Sequence, residues 1–61
     1  MKRYLLYLNG KIVKDAQRLA TITKHYEAYS RAYNADDNVL NVYDTETGEY
    51  VLDNSGETTN D

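Results

Sequence analysis

The residues of this chain whose types and spacing could do chemistry are few. Asp36-Asp37 and Asp44-x-Glu46 set carboxylates close together in sequence, as a divalent-ion site would need. The run DDNVLNVYDTE around them lacks the alternating oxygen ligands, central glycine and terminal glutamate of an EF-hand loop. Solvated loop carboxylates are the expected reading. His25 and Glu27 are the one nominal acid–base pair, but side chains two apart on a helix do not face each other. Several serines and threonines are present, with no nucleophile elbow and no His–Asp support. With no cysteine there is no thiolate metal site and no disulfide. The glycines fall in turns or in the C-terminal tail, so no phosphate-binding loop is expected. The sequence therefore predicts no catalytic residue, no metal site and no cofactor, and a protein that is not an enzyme.

The elements that must carry these residues follow from the hydrophobic pattern. In RYLLYLNGKIVK, Asn9-Gly10 stands between two apolar runs, which is the strongest short-range hairpin signal. A two-residue loop pairs Leu8 with Lys11, Tyr7 with Ile12 and Leu6 with Val13. Tyr4, Leu6, Leu8 and Val13 then share one face, and Leu5, Tyr7 and Ile12 the other. A strand with one wet face should alternate with polar residues. Here both faces are apolar, so the strand is central in a sheet or its second face meets another subunit. Leu5, Tyr7 and Ile12 are the candidates for self-association.

Residues 15 to 34 read as a helix. Leu19, Ile22, Tyr26, Tyr29 and Tyr33 recur at spacings of three and four and form one stripe. Asp15 is a candidate N-cap and Asn34 a candidate left-handed residue just past the C-terminus. The β-branched run Thr21-Ile22-Thr23 would allow a later start, with Thr23 as the cap. Residues 34 to 38 form a polar loop. A second hairpin spans about 39 to 53, turning at Thr45-Glu46-Thr47-Gly48 with Gly48 left-handed. Its expected register pairs Thr45 with Glu49, Asp44 with Tyr50, Tyr43 with Val51 and Val42 with Leu52. Leu40, Val42, Tyr50 and Leu52 would face the core, and Asn41, Tyr43, Val51 and Asp53 the other side. Residues 54 to 61 contain no apolar side chain and are expected to be a disordered tail.

The predicted fold is thus α+β: a single ββαββ domain over residues 1–53, two β-hairpins flanking one helix packed on a mostly antiparallel sheet. A chain of 61 residues buries only roughly 60% of its unfolded surface and is marginal alone. Without disulfides or metal, self-association is the expected staple, which points to a homodimer. No apolar run approaches the ~18 residues of a membrane span. The start MKRYLLYLNG has too short an apolar stretch for a signal peptide. The expected location is cytoplasmic, with no membrane partner. All seven aromatic residues are tyrosine, a residue suited to shallow cores and interfaces.

Charge divides the chain. Residues 1–31 hold all seven basic residues, Lys2, Arg3, Lys11, Lys14, Arg18, Lys24 and Arg31, with Asp15 and Glu27 as the acids. Residues 32–61 hold the other eight acids and neither Lys nor Arg. Three outcomes fit that asymmetry. The halves neutralise each other, the acidic half recruits a basic partner, or the basic half binds nucleic acid. In size and composition the chain resembles small accessory proteins of phages and other mobile elements, which often bind and inhibit a host protein. The leading expectation is a non-enzymatic module of inhibitor type that masks a partner surface through Tyr43, Asp44, Glu46, Glu49 and Val51. The alternative is a nucleic-acid-binding module using Lys2, Arg3, Lys11, Lys14 and Arg18.

Overall fold

The computed structural model describes residues 2–54. Five elements follow in order: β1 (Tyr4–Leu8), β2 (Lys11–Ala16), α1 (Leu19–Ala32), β3 (Leu40–Asp44) and β4 (Glu49–Asp53). The strands form one open sheet in the order β2-β1-β3-β4, every neighbouring pair antiparallel. This is the ββαββ arrangement that the sequence predicts. Because β1 runs opposite to both β2 and β3, those two strands run the same way on either side of it. The α1 segment is therefore a crossover that carries the chain over β1, and it packs on β1, β2 and β3. Among the described residues, no helix is long and apolar enough to cross a membrane.

The first hairpin turns where expected. Asn9 (φ 54°) and Gly10 (φ 85°) both have positive φ, as a type I′ turn requires. Leu8 pairs with Lys11 and Tyr7 with Ile12, but Leu6 pairs with Lys14, not with Val13. A bulge leaves Val13 unpaired, and its side chain leans on the core beside Leu8. The second hairpin departs further. Its loop is one residue longer than expected, pairing Asp44 with Glu49 and Tyr43 with Tyr50, while Val42 keeps Leu52. The bulge at Val51 thus moves Tyr50 off the core face, and its side chain is 61% exposed. Gly48 takes the expected left-handed conformation at φ 75° and donates its N–H to the Asp44 carbonyl at 2.8 Å.

The helix is shorter than the residues 15–34 of the sequence reading. Ala16 is buried and pairs with Tyr4, so Asp15 and Ala16 belong to the β ladder and Asp15 is not a cap. Arg18 occupies the N-cap without a side-chain cap bond. At the other end Tyr33 leaves the helix in extended conformation, its N–H bonded to the Tyr29 carbonyl at 2.8 Å. Asn34 does not adopt positive φ. It organises the following turn instead: its Oδ1 accepts from the Asp36 N–H at 2.8 Å and its carbonyl from the Asn38 N–H at 2.9 Å.

The core lies between α1 and one face of the sheet. Tyr4, Leu6, Ala16, Ile22, Leu40 and Val42 are buried there, with Leu8, Val13, Tyr26, Tyr29 and Leu52 packed around them. Burying a side chain such as Leu6 or Ile22 stabilises the fold by about 1.5–3 kcal/mol each. Of the helical stripe, Ile22, Tyr26 and Tyr29 reach this core, whereas Leu19 and Tyr33 at the helix ends stay exposed.

Three asparagines close one end of the sheet. Asn9 Oδ1 accepts from the Val39 N–H at 2.8 Å, and Asn9 Nδ2 donates to Asn38 Oδ1 at 3.1 Å. Asn54 Oδ1 accepts from the Leu40 N–H at 3.0 Å, and Asn54 Nδ2 donates to the Asn38 carbonyl at 3.1 Å. Asn54, assigned above to the tail, is therefore part of the fold. The disorder expected for residues 55–61 falls outside the described residues.

Candidate interaction surface

The acidic hairpin is partly consumed inside the molecule. Asp44 lies on the helix-facing side of β3, paired with Tyr4, and is only 3% exposed. Arg3 meets it with a two-pronged bond, Nε to Oδ1 at 3.0 Å and Nη2 to Oδ2 at 2.9 Å. The guanidinium also lies 5.0 Å from the Tyr4 ring centroid and approaches Glu46 Oε1 at 3.5 Å. The Glu46 N–H donates to Asp44 Oδ1 at 2.9 Å, and both the N–H and the hydroxyl of Thr45 donate to the Arg3 carbonyl. The start of the chain is thereby bound to the β3–β4 turn.

The hydrogen bonds from Arg3 hold the Asp44 carboxyl down to about 2, with help from backbone N–H groups of Glu46 and Thr47, against the opposing effect of burial. The same bonds raise the Arg3 guanidinium further above its ordinary value. On the helix, burial followed by the charge of Asp53 pushes the Tyr26 phenol upward. Asp44 is thus buried and held by an ion pair within the fold. A signal for this was present: Asp44 shares the strand alternation of Leu40 and Val42, and a carboxylate at a core position needs a cation.

The other face of the sheet carries no second layer among the described residues. Register places Asp15, Leu5, Tyr43 and Tyr50 in one row across the four strands, and Ile12, Tyr7, Asn41 and Asp53 in the next. Leu5 is 4% exposed yet stands outside the core cluster. Tyr7 and Tyr43 are half-buried. The Tyr43 and Tyr50 rings meet edge to face, with centroids 5.1 Å apart. A Cβ at Gly48 would stand 3.6 Å from the Tyr43 hydroxyl, so the phenol runs along the turn. Around this tyrosine pair stand exposed apolar side chains, Ile12 at 51% and, at the β4 bulge, Val51 at 40%.

The structure therefore unites residues that the sequence assigned to separate roles. Leu5, Tyr7 and Ile12, the self-association set, lie on the same face as Tyr43 of the partner-binding set. Tyr50 joins them and was missed, because Tyr50-Val51-Leu52 offers no clean alternation and the bulge decides which of the three turns outward. Glu49 is exposed in the row of Asp44, on the helix-facing side, and Glu46 is exposed at the turn within 3.5 Å of the Arg3 guanidinium, so neither lies on the open face itself. Of the basic set, Arg3 is committed to Asp44 and Glu46. Lys11 and Lys14 lie exposed along the edge strand β2, and Lys2 and Arg18 are exposed beyond it. Among the described residues, no three His, Asp or Glu side chains converge as metal ligands, and the surface forms no pocket. Compared with known protein families, curated proteins and solved structures, the chain matches none of them.

Proposed function

We propose that the chain is a non-enzymatic protein-binding module that masks a surface of its partner with the open face of its sheet. The observation that carries this reading is the cluster of Tyr7, Tyr43, Tyr50, Ile12 and Val51 on and beside a sheet face that the chain's own helix leaves uncovered. Tyrosine with exposed aliphatic neighbours is the composition of interface centres, because the ring buries area while the hydroxyl keeps a hydrogen bond. Glu46 and Glu49 at the β3–β4 end favour a basic partner and would steer its approach. The inhibitor-like style expected from size and composition fits a module that acts by occupying a surface.

Affinity capture tests this reading. The intact chain, a Tyr43→Ala/Tyr50→Ala variant and a helix-surface control, Lys24→Ala, are each immobilised and exposed to the same lysate. Protein captured by the parent and the control should be lost with the double variant. Capture that survives the double variant unchanged would place recognition elsewhere. The second reading, nucleic-acid binding, draws on Lys11 and Lys14 along one exposed strand edge with Arg18 nearby. Binding of that kind would weaken steeply with salt and be lost on charge reversal at Lys11 and Lys14. No binding of DNA or RNA at low salt would end it.

A further inference from the structure

The shape and charge of the open face narrow the kind of partner it accepts, given the protein-binding reading above. Strand addition is the first mode to weigh, because an open sheet has two free edges. Here both edge strands, β2 and β4, carry a bulge, at Val13 and at Val51. A bulge interrupts the hydrogen-bond ladder and twists the edge, and β2 adds Lys11 and Lys14 along it. These are the devices by which sheets resist a further strand. The edges are guarded, while among the described residues no second layer covers the face.

Charge separates the remaining occupants. The eight register positions of the face include Asp15 and Asp53, the latter also engaged within the fold, and neither Lys nor Arg. A second copy docked face to face would set one acid-fringed tyrosine surface against another, with like charges opposed. A basic partner meets no such cost. The chain also shows what its tyrosines and carboxylates hold when combined: the Arg3 guanidinium rests on the Tyr4 ring and in the fork of Asp44. Four strands span about 14 Å between the outer pair, and a helix with its side chains is about 10–12 Å across. The opposite face already seats α1 over three of these strands.

We infer that the open face seats a basic amphipathic helix of another protein. Its apolar stripe lies on Tyr7 and Ile12, and its lysines or arginines reach the Tyr43–Tyr50 pair and Asp15 in the same row. The bound assembly is a three-layer sandwich, helix on sheet on helix.

The test uses the intact chain, labelled for backbone amide NMR, and three synthetic peptides of equal length: a Leu/Lys amphipathic helix former, its Leu/Glu counterpart, and an alternating Val/Lys strand former. The Leu/Lys peptide should bind saturably and at least tenfold more tightly than the other two, with shifts centred on Leu5, Tyr7, Ile12, Tyr43 and Tyr50. Ile12→Lys, at a position exposed enough to leave the fold intact, should weaken it at least tenfold. Shifts centred on α1, equal binding of either other peptide, or no saturable binding up to millimolar peptide would each overturn the inference. So would a doubling of mass without peptide that moves the same resonances, since the occupant would then be a second copy. If face-dependent capture from lysate persists while no peptide binds, the protein-binding reading stands and the helix inference alone falls.

Discussion

The two faces of one sheet have been put to opposite uses by the same strands. In β1, the residues Tyr4, Leu6 and Leu8 face α1, while Leu5 and Tyr7 face away from it. Both sets are apolar, yet the first ends in a packed core and the second in a surface of half-buried rings. The difference lies in what covers them. The helix lies over β2, β1 and β3, and the fully buried residues Leu6, Ile22, Leu40 and Val42 mark its footprint. Nothing in residues 2–54 plays that part on the other side, where Leu5 stands outside the core cluster. Strand alternation alone does not make a core. A core needs a second layer, and one face of this sheet gets it from the chain itself.

The largest expected effect comes from cutting into the covered face. Leu6→Ala should lower stability by about 2–5 kcal/mol, as for other fully buried leucines. In a domain whose single core supplies no more than about 3–5 kcal/mol, that is enough to unfold much of the population. Leu5→Ala should cost measurably less, since flanking side chains on an open face can relax into the gap. Urea denaturation midpoints of the two variants, read at a common slope, make the comparison. Equal losses would mean that the open face is a second core and not a docking surface.

Next comes the ion pair that ties the chain start to the β3–β4 turn. Asp44 is held from its ordinary 3.8 down to about 2, chiefly by Arg3. A carboxylate with a depressed folded value contributes stability that is present above its unfolded value. That contribution is lost as pH falls through the folded value. The parent should therefore lose stability between about pH 4 and pH 2 through this group. Arg3→Gln should lower the neutral-pH midpoint and flatten the slope across that window. A parent and variant with parallel pH profiles would show that the pair does not bear on folding.

How much of this was readable from the residues depends on the range of the interaction. The Asn9-Gly10 turn, the left-handed Gly48 and the sequence of elements are set by local chemistry, and each was legible. The helix start was misread because Asp15 and Ala16 suit a cap or a helix in isolation. What claims them for β2 is the pairing of Ala16 with Tyr4, a partner twelve residues back. The two bulges left no local mark, since Val13 and Val51 are ordinary strand residues. One consequence is that Tyr50, expected on the core face, is exposed instead and its ring meets Tyr43 edge to face. The charge split was visible at once, but not that Arg3, at its far end, would take Asp44 and approach Glu46 across some forty residues. The polarity of the chain is therefore partly cancelled, and what survives at the β3–β4 end is Glu49 and the exposed part of Glu46.

The asparagine end offers a smaller contrast with the ion-paired end. Asn54→Ala removes the acceptor that satisfies the Leu40 N–H and the donor to the Asn38 carbonyl. The expected loss is about 1–2 kcal/mol, read as an earlier denaturation midpoint. Hydrogen exchange at Leu40 should accelerate more than at Leu6, because the opening is local. Uniform acceleration through the sheet would show instead that Asn54 is coupled to the whole fold.

The smallest expected change in stability is also the one that bears most on function. Ile12→Ser and Tyr50→Ser act on side chains that are 51% and 61% exposed and make no part of the core cluster. Each should move stability by no more than about 0.5 kcal/mol. Tyr50 gives up its edge-to-face contact with Tyr43, worth about 0.5–1.5 kcal/mol, but it also sheds the entropy cost of holding an exposed ring in place. Large apolar side chains left in water contribute little to the isolated fold, and the proposed docking would give their clustering on one face a use. A double variant that keeps the parent's denaturation curve and loses partner capture would separate folding from recognition on this sheet. A double variant that unfolds would assign these residues to stability, and the two faces would no longer differ in kind.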